Sequence, residues 1–291
     1  MCNAYHTPVL LEQSISSLCI KPDGVYVDAT FGGGGHSRAI LERLGSKGRL
    51  MVMDQDEEAL ENVPKDKRVI AVHSNFRFIH NYVRYHGFDG ADGIIADLGV
   101  SSHQFDTEQR GFSFRFNSEL DMRMNRQAAK DAKTIINSYE RNRLEELFRV
   151  YGEVSDARRV ADLICTARAV SPINTTDDLG RALSSVLPKF GEHKYLAKIY
   201  QALRIEVNDE MDALERFMPL AIKSLKPAGI ISVITYHSLE DRIVKNAIRD
   251  GVAAGILEKV NKKPILPEEA EIAENTRARS AKLRVAQKKK N

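Results

Sequence analysis

VYVDATFGGGGH, residues 25–36, decides how this chain folds. A short β-prone run of Val25, Tyr26 and Val27 ends at Asp28, four glycines occupy positions 32–35, and a helical pattern starts at Ser37. Strand, glycine loop and helix in that order open a nucleotide-type binding unit. Glycine lets the backbone turn tightly and approach a ligand with no Cβ in the way. A second apolar run, residues 50–53, closes on Asp54. An acid about 20 residues beyond the glycines is placed to accept from a pair of ribose hydroxyls. The blander reading of the same residues is a tight turn in an ordinary α/β domain.

Working outward, strand-like runs cover residues 25–30, 49–54, 69–73 and 93–97, each followed by a helical or loop segment. That alternation predicts an α/β fold, Rossmann-like, with a mostly parallel sheet and helices on both faces. Ligands on such sheets bind at the carboxyl ends of the strands. Asp28, Asp54 and Asp97 each close a strand, so all three are expected at one crevice. The pattern breaks near residue 117, and helices are predicted over 139–151, 155–169, 176–187 and 194–218. Leu144, Leu147, Phe148 and Tyr151 form one apolar stripe, and Val160, Leu163, Ile164 and Ala167 another. Thr175 and Asp178 have the spacing of a helix-capping pair. Strand character returns at 229–235 and again at 281–286. The expected organisation is a sheet domain, 1–116 with 208–291, interrupted by a helical insertion at 117–207.

The glycines do not match a dinucleotide fingerprint: Ser37 or Arg38 stands where G-x-G-x-x-G needs its third glycine. No G-x-x-x-x-G-K-[ST] phosphate loop occurs. An acid just before the glycines suits a cation better than a polyphosphate. S-adenosyl-L-methionine, with its ammonium and sulfonium, is therefore the favoured ligand.

The chain has 291 residues and a formal charge of +3, so the distribution of charge matters more than its total. Residues 276–291 carry Arg277, Arg279, Lys282, Arg284 and Lys288–Lys290 and no acid, a segment that reads as a solvated end or a phosphate-binding tail. Cys2, Cys19 and Cys165 form no C-x-x-C, which points to a reducing, cytoplasmic compartment. No basic region leads into an apolar core as in an export signal, and no run approaches a membrane span. The eight histidines lack zinc spacing, so no metal site is expected.

Three clusters carry candidate chemistry. Asp97-Leu98-Gly99-Val100-Ser101-Ser102 ends the fourth strand, where Asp97 can bind a cofactor, accept from a substrate amine, or simply cap the next loop. QRGFSFRFNSELDMRM, residues 109–124, sets Phe112, Phe114 and Phe116 beside Arg110, Arg115 and Arg123. That mixture can stack on an unpaired base and hold its phosphates, or form an apolar lid or hinge. His237, after the fifth strand, reads first as a buried, hydrogen-bonded histidine and second as a pocket residue.

The motifs together are similar to one family. HTPVLL (6–11), DATFGGGGHS (28–37), DLGVSS (97–102), RGFSF (110–114), LDMRM (120–124), RIEVNDE (204–210), YHSLEDRIVK (236–245) and NTRARSAKLRVA (275–286) resemble the MraW family of bacterial small-subunit ribosomal RNA (cytosine-N4)-methyltransferases nearly end to end. The resemblance implies methylation by S-adenosyl-L-methionine of a cytosine near the P site of 16S rRNA. The implied partner is an assembled or late-assembly small ribosomal subunit. By matching motif, it places cofactor contacts on Gly34, Gly35, His36, Asp54, Phe76, Asp97 and Gln104, with Asp54 on the ribose and Phe76 against the adenine. Two departures stand out. Asn117-Ser118-Glu119 replaces an Asp-Gly-Pro turn, and Asp97 is followed by Leu98-Gly99-Val100 rather than the Pro-Pro-aromatic run of DNA amino-methyltransferases.

Asp97, or the backbone carbonyl beside it, is then expected to accept a hydrogen bond from the target amine. Phe112, Phe114, Arg115, Arg123 and His237 are the candidate substrate contacts. The rivals are a methyltransferase for protein or small molecules, a nicotinamide oxidoreductase, and a non-catalytic ribosome assembly factor that keeps the pocket.

Overall fold

Seven strands build one sheet: β1 (Val25–Asp28), β2 (Arg49–Asp54), β3 (Val69–His73), β4 (Ala91–Asp97), β5 (Leu225–Thr235), β6 (Leu257–Lys259) and β7 (Lys282–Lys288). The computed structural model describes residues 8–290. Cys2 and the first two residues of the HTPVLL motif, His6 and Thr7, lie outside them. The strand order is β3-β2-β1-β4-β5-β7-β6. β1 to β5 run parallel, and β7 pairs antiparallel with both β5 and β6.

The strands are apolar on both faces because both faces are covered. Val27, Met51, Ile94 and Ile231 point into one core, and Tyr26, Leu50, Ile95 and Ile230 into the other. Two-face burial thus shows as near-continuous hydrophobic runs, which is why β1 to β5 are legible in the sequence.

The chain divides into two compact units: Met1–Val100 with Met211–Asn291, and Ser101–Glu210. The second starts earlier than the 117 expected. Its opening loop is tied to its own interior: Met122 N–H donates to the Arg110 carbonyl (3.0 Å), and Arg110 Nη2 donates to the carbonyls of Arg123 and Met124 (3.0 and 3.1 Å). Both predicted stripes face the interior: Leu144, Leu147, Phe148, Val160 and Ile164 are buried, and Tyr151, Leu163 and Ala167 are half-buried. Thr175 Oγ1 accepts from Asp178 N–H (3.2 Å) and Asp178 Oδ2 from Thr175 N–H (2.9 Å), the reciprocal cap read from the sequence.

Three expectations need correction. The helix expected over 194–218 is two, Glu192–Asn208 and Glu210–Ser224, because Asp209 adopts a left-handed backbone with φ 50°. β6 is new; three residues are too few for a periodic signal. The basic C-terminal segment is largely the strand expected at 281–286 rather than a free tail: Leu283, Val285 and Ala286 are buried in β7, and Arg284 forms a two-pronged pair with Asp241 (2.7 and 3.1 Å). Among the described residues no helix is long and apolar enough to cross a membrane.

Candidate functional site

Strand register brings the three acids together. Asp28 pairs with Val52 of β2 and Ile95 of β4, and Asp54 and Asp97 lie two residues further along those strands. They therefore flank the point where β1 gives way to the glycine loop, at the carboxyl edge where α/β sheets bind ligands.

Their environments separate their roles. Asp28 is buried, accepting Ser37 Oγ–H on Oδ2 (2.6 Å) and Thr30 N–H on Oδ1 (3.2 Å). Burial lifts its pKa to about 6. Both its oxygens are engaged in closing the loop. Asp54 accepts Gly32 N–H on Oδ2 (2.8 Å) and Asp56 N–H on Oδ1 (2.9 Å), and burial raises it to about 6 as well. The Gln55 backbone also bonds this carboxylate, and of its roughly four lone-pair sites one remains for a further donor.

Asp97 stands apart. Its N–H donates to Thr30 Oγ1 (2.7 Å), and its Oδ1 accepts the Tyr236 hydroxyl (2.7 Å). Burial pushes its pKa to about 7; the Tyr236 bond opposes this, and Asp28 and Glu240 add to it. Its Oδ2 lies 3.9 Å from His36 Nδ1. His36 is buried, and that burial lowers its pKa to about 4, so the ring is neutral. Its Nε2 is buried without a hydrogen-bond partner among the described residues. Arg38, the cation that follows the loop, donates to the Gly33 carbonyl (2.7 Å). The edge thus presents carboxylates and a neutral imidazole, a donor set for a cation with hydroxyls rather than for a polyphosphate.

The glycines answer first to the protein itself. Gly34 has φ 74° and caps the helix Gly35–Arg43. A Cβ on Gly35 would lie 2.0 Å from Pro8 Cγ, so that position is glycine to admit the N-terminal segment. Phe76 follows β3 on a loop tied to the end of β2 by Asn75 Nδ2–H to Gln55 Oε1 (2.9 Å). Its ring packs edge-on against Phe217, with centroids 5.0 Å apart.

His237 is the N-cap of the helix Ser238–Ala253. Its Nδ1 accepts Glu240 N–H (3.4 Å), and its Nε2 lies 3.1 Å from Glu240 Oε1. The capping role accounts for the histidine, in keeping with the buried, hydrogen-bonded reading.

The remaining candidates belong to the Ser101–Glu210 unit. Gln104 is buried and reciprocally caps the helix Ser102–Asp106 with Ser101 (3.1 and 3.2 Å). Phe112 is 3% exposed, so it does not offer a ring face to a base. Phe114 is half-buried, stacked on His193 (5.6 Å) and edge-on to Tyr200 (5.3 Å). Arg115 is exposed. Arg123 is held by Asp121 through two bonds (2.8 and 2.7 Å) and by the Ala128 carbonyl (2.8 Å), which makes it a strut of its own loop. The unusual Asn117-Ser118-Glu119 segment is fastened to the start of the helix Thr176–Leu183 by Ser118 N–H to Thr176 Oγ1 (3.1 Å) and Thr176 N–H to the Ser118 carbonyl (2.9 Å).

Sequence reasoning missed Thr30, Ser37, Tyr236 and Glu240 as partners of the acids. Only the strand-end position of the YHSLED run hinted at the last two.

A mostly parallel seven-stranded sheet with acids at the ends of β1, β2 and β4 defines a Rossmann-like domain of the methyltransferase type. The chain belongs to the MraW methylase family, whose pattern matches residues 3–289. It is 51% identical over 300 residues to the ribosomal RNA small subunit methyltransferase H of Bacteroides fragilis, covering 98% of each chain. The protein of that name from Flavobacterium johnsoniae is 51% identical over 295 residues, again covering 98% of each. A solved rRNA methylase from Streptococcus thermophilus aligns over 98% of this chain and 99% of its own, with TM-score 0.47 and 10% identity.

Proposed function

We propose that this methylase transfers a methyl group from S-adenosyl-L-methionine to the N4 amine of a cytosine in small-subunit (16S) ribosomal RNA, near the P site of an assembled or late-assembly subunit, in the cytoplasm. The observation that carries the reading is Asp97: an acid at the end of β4, fixed through one oxygen by Tyr236 and close to neutral pH in its titration. The names of the relatives supply the rRNA substrate, and the cation-suited edge supports the cofactor.

When bound, the cofactor supplies an electrophilic methyl on sulfur. Asp54 would take a ribose hydroxyl on its remaining acceptor site, Phe76 would lie beside the adenine, and Gly34, Gly35 and His36 would complete the contacts from the same unit. The cytosine amine is a poor nucleophile because its lone pair is delocalised into the ring. Asp97 accepts an N4–H hydrogen bond, which draws the nitrogen toward tetrahedral geometry and places it in line, a positioning effect of several kcal/mol. Its carboxylate takes the proton as N4 becomes acidic during transfer, so no strong base is needed beforehand.

The base must leave its stack to reach this edge. The helical unit is the RNA-recognition part, and with Phe112 buried and Arg123 held by Asp121, the contacts fall to Phe114, Arg115 and the exposed Phe116. The test incubates the protein and labelled cofactor with unmethylated small subunits and identifies the product nucleoside by mass spectrometry. N4-methylcytidine is expected; cofactor binding without transfer to RNA would overturn the reading.

A further inference from the structure

Tyr236 and Asp97 are 139 positions apart in the chain, yet the phenol donates to Asp97 Oδ1 at 2.7 Å. Both ends of this contact are braced. Tyr236 N–H donates to Glu240 Oε2 (2.7 Å), and Glu240 is 2% exposed. Asp97 N–H is held by Thr30 Oγ1 (2.7 Å). Gly99, with φ 95°, lies beside the ring, where a Cβ would sit at ordinary contact distance, 3.5 Å from Tyr236 Cδ2. Burial and the neighbouring carboxylates Asp97, Glu240 and Glu271 raise the phenol well above its ordinary pKa, so it is a permanent neutral donor.

A carboxylate with both oxygens unfixed would spread over several orientations and dilute any in-line geometry. One held by a single braced donor presents one defined oxygen. We propose that Tyr236 is a positioning residue, which engages Asp97 Oδ1 so that Oδ2 is the oxygen offered to the N4 amine. The inference rests on the N4-methylation reading above.

The bond also bears on protonation. Asp97 is faced by Asp28 from β1, Glu240 from the helix Ser238–Ala253, neutral His36 from the helix Gly35–Arg43, and Tyr236. The two acids favour its protonated form, and the phenol is the group that favours the ionised one.

Tyr236→Phe removes the donor and keeps the ring. Measured with labelled cofactor on small subunits, kcat should fall about 10- to 100-fold. The KM for cofactor should stay within about twofold. The acid limb of the rate–pH profile should move up by on the order of one unit. Because Tyr236 acts through Asp97, the double variant Tyr236→Phe/Asp97→Asn should be no slower than Asp97→Asn alone. An unmoved acid limb, or additive losses, would overturn the proposal. If Tyr236→Phe does not fold, 3-fluorotyrosine placed at 236 keeps the bond with a more acidic phenol. The acid limb should then move down, and no movement would overturn the proposal. Failure of the unaltered protein to make N4-methylcytidine would defeat the functional reading, whereas transfer with an unaffected Tyr236→Phe defeats only this inference.

Discussion

Gly32 N–H donates to Asp54 Oδ2 at 2.8 Å, so the acid that closes β2 holds the first glycine of the loop that follows β1. One carboxylate thereby shapes the loop and remains able to accept from a ligand. Asp54→Ala should weaken cofactor affinity about 10- to 100-fold, roughly 1.4 to 2.8 kcal/mol. Asp54→Asn, which keeps one acceptor oxygen, should fall between. Calorimetric titration reads both, and unchanged affinity in the alanine variant would remove the ribose assignment.

Acidity at the site sets a pH dependence. Asp97 titrates at 3.8 when unfolded and about 7 when folded, and Asp28 and Asp54 rise from 3.8 to about 6. In that window the folded protein binds more protons than the unfolded chain, so these groups lower stability as pH rises. His36, lowered from 6.5 to about 4, acts in the opposite sense and adds stability as pH rises through its own window. Above 6.5 that opposing contribution is spent. Melting temperature should therefore fall between pH 6.5 and about 8. Asp97→Asn should flatten the fall. A cationic cofactor should bind more tightly across the same interval, as the carboxylates ionise.

Gly35→Ala places a Cβ 2.0 Å from Pro8 Cγ. Overpacking of this kind costs about 1–3 kcal/mol. Thermal unfolding should show a drop of several degrees, and Pro8→Ala in the same chain should recover part of it. No recovery would mean that the glycine is required by something other than Pro8.

Phe112 and Phe114 share one motif but should respond differently. Phe112 is 3% exposed, and its truncation to alanine should destabilise the protein by about 3–5 kcal/mol. Phe114→Ala should leave folding closer to intact and weaken RNA binding, since a base stacked on an aromatic ring is worth about 1–3 kcal/mol. Denaturant unfolding beside RNA titration separates the two. Equal RNA loss at equal stability would return Phe112 to the RNA contacts.

Lys288 differs from the lysines beside it. Its Nζ donates to the carbonyls of Leu225 (2.6 Å) and Lys223 (3.3 Å), whereas Lys289 and Lys290 are exposed. Lys288→Gln should lower the melting temperature. Replacing Lys289 and Lys290 by Gln should leave it unchanged and make the salt dependence of RNA binding shallower by about 0.7 for each phosphate no longer neutralised. An identical salt slope would mean that these two side chains are merely solvated.

The sequence by itself determined what is local. A glycine loop needs glycines in a row, a strand buried on both faces needs an apolar run, and a capped helix needs Thr175 three residues before Asp178. Each signal lies within a few residues, so β1 to β5, the helical stripes and the strand-end acids were legible. Tertiary structure decided what depends on distant partners. The strand character at 281–286 was local, but its place was not: β7 lies antiparallel between β5 and β6 because Leu283 and Val285 find a buried place there, which outweighs the charge that made the segment also read as a tail. Arg123 became a strut because Asp121 folds back onto it, and Phe112 became buried, although neither pattern differs locally from an RNA-binding loop. The chemistry of Asp97 shows the division most directly: its position at a strand end is written in the sequence. Its single engaged oxygen and raised pKa arise only when the fold half-buries it and carries Tyr236, Asp28 and Glu240 next to it.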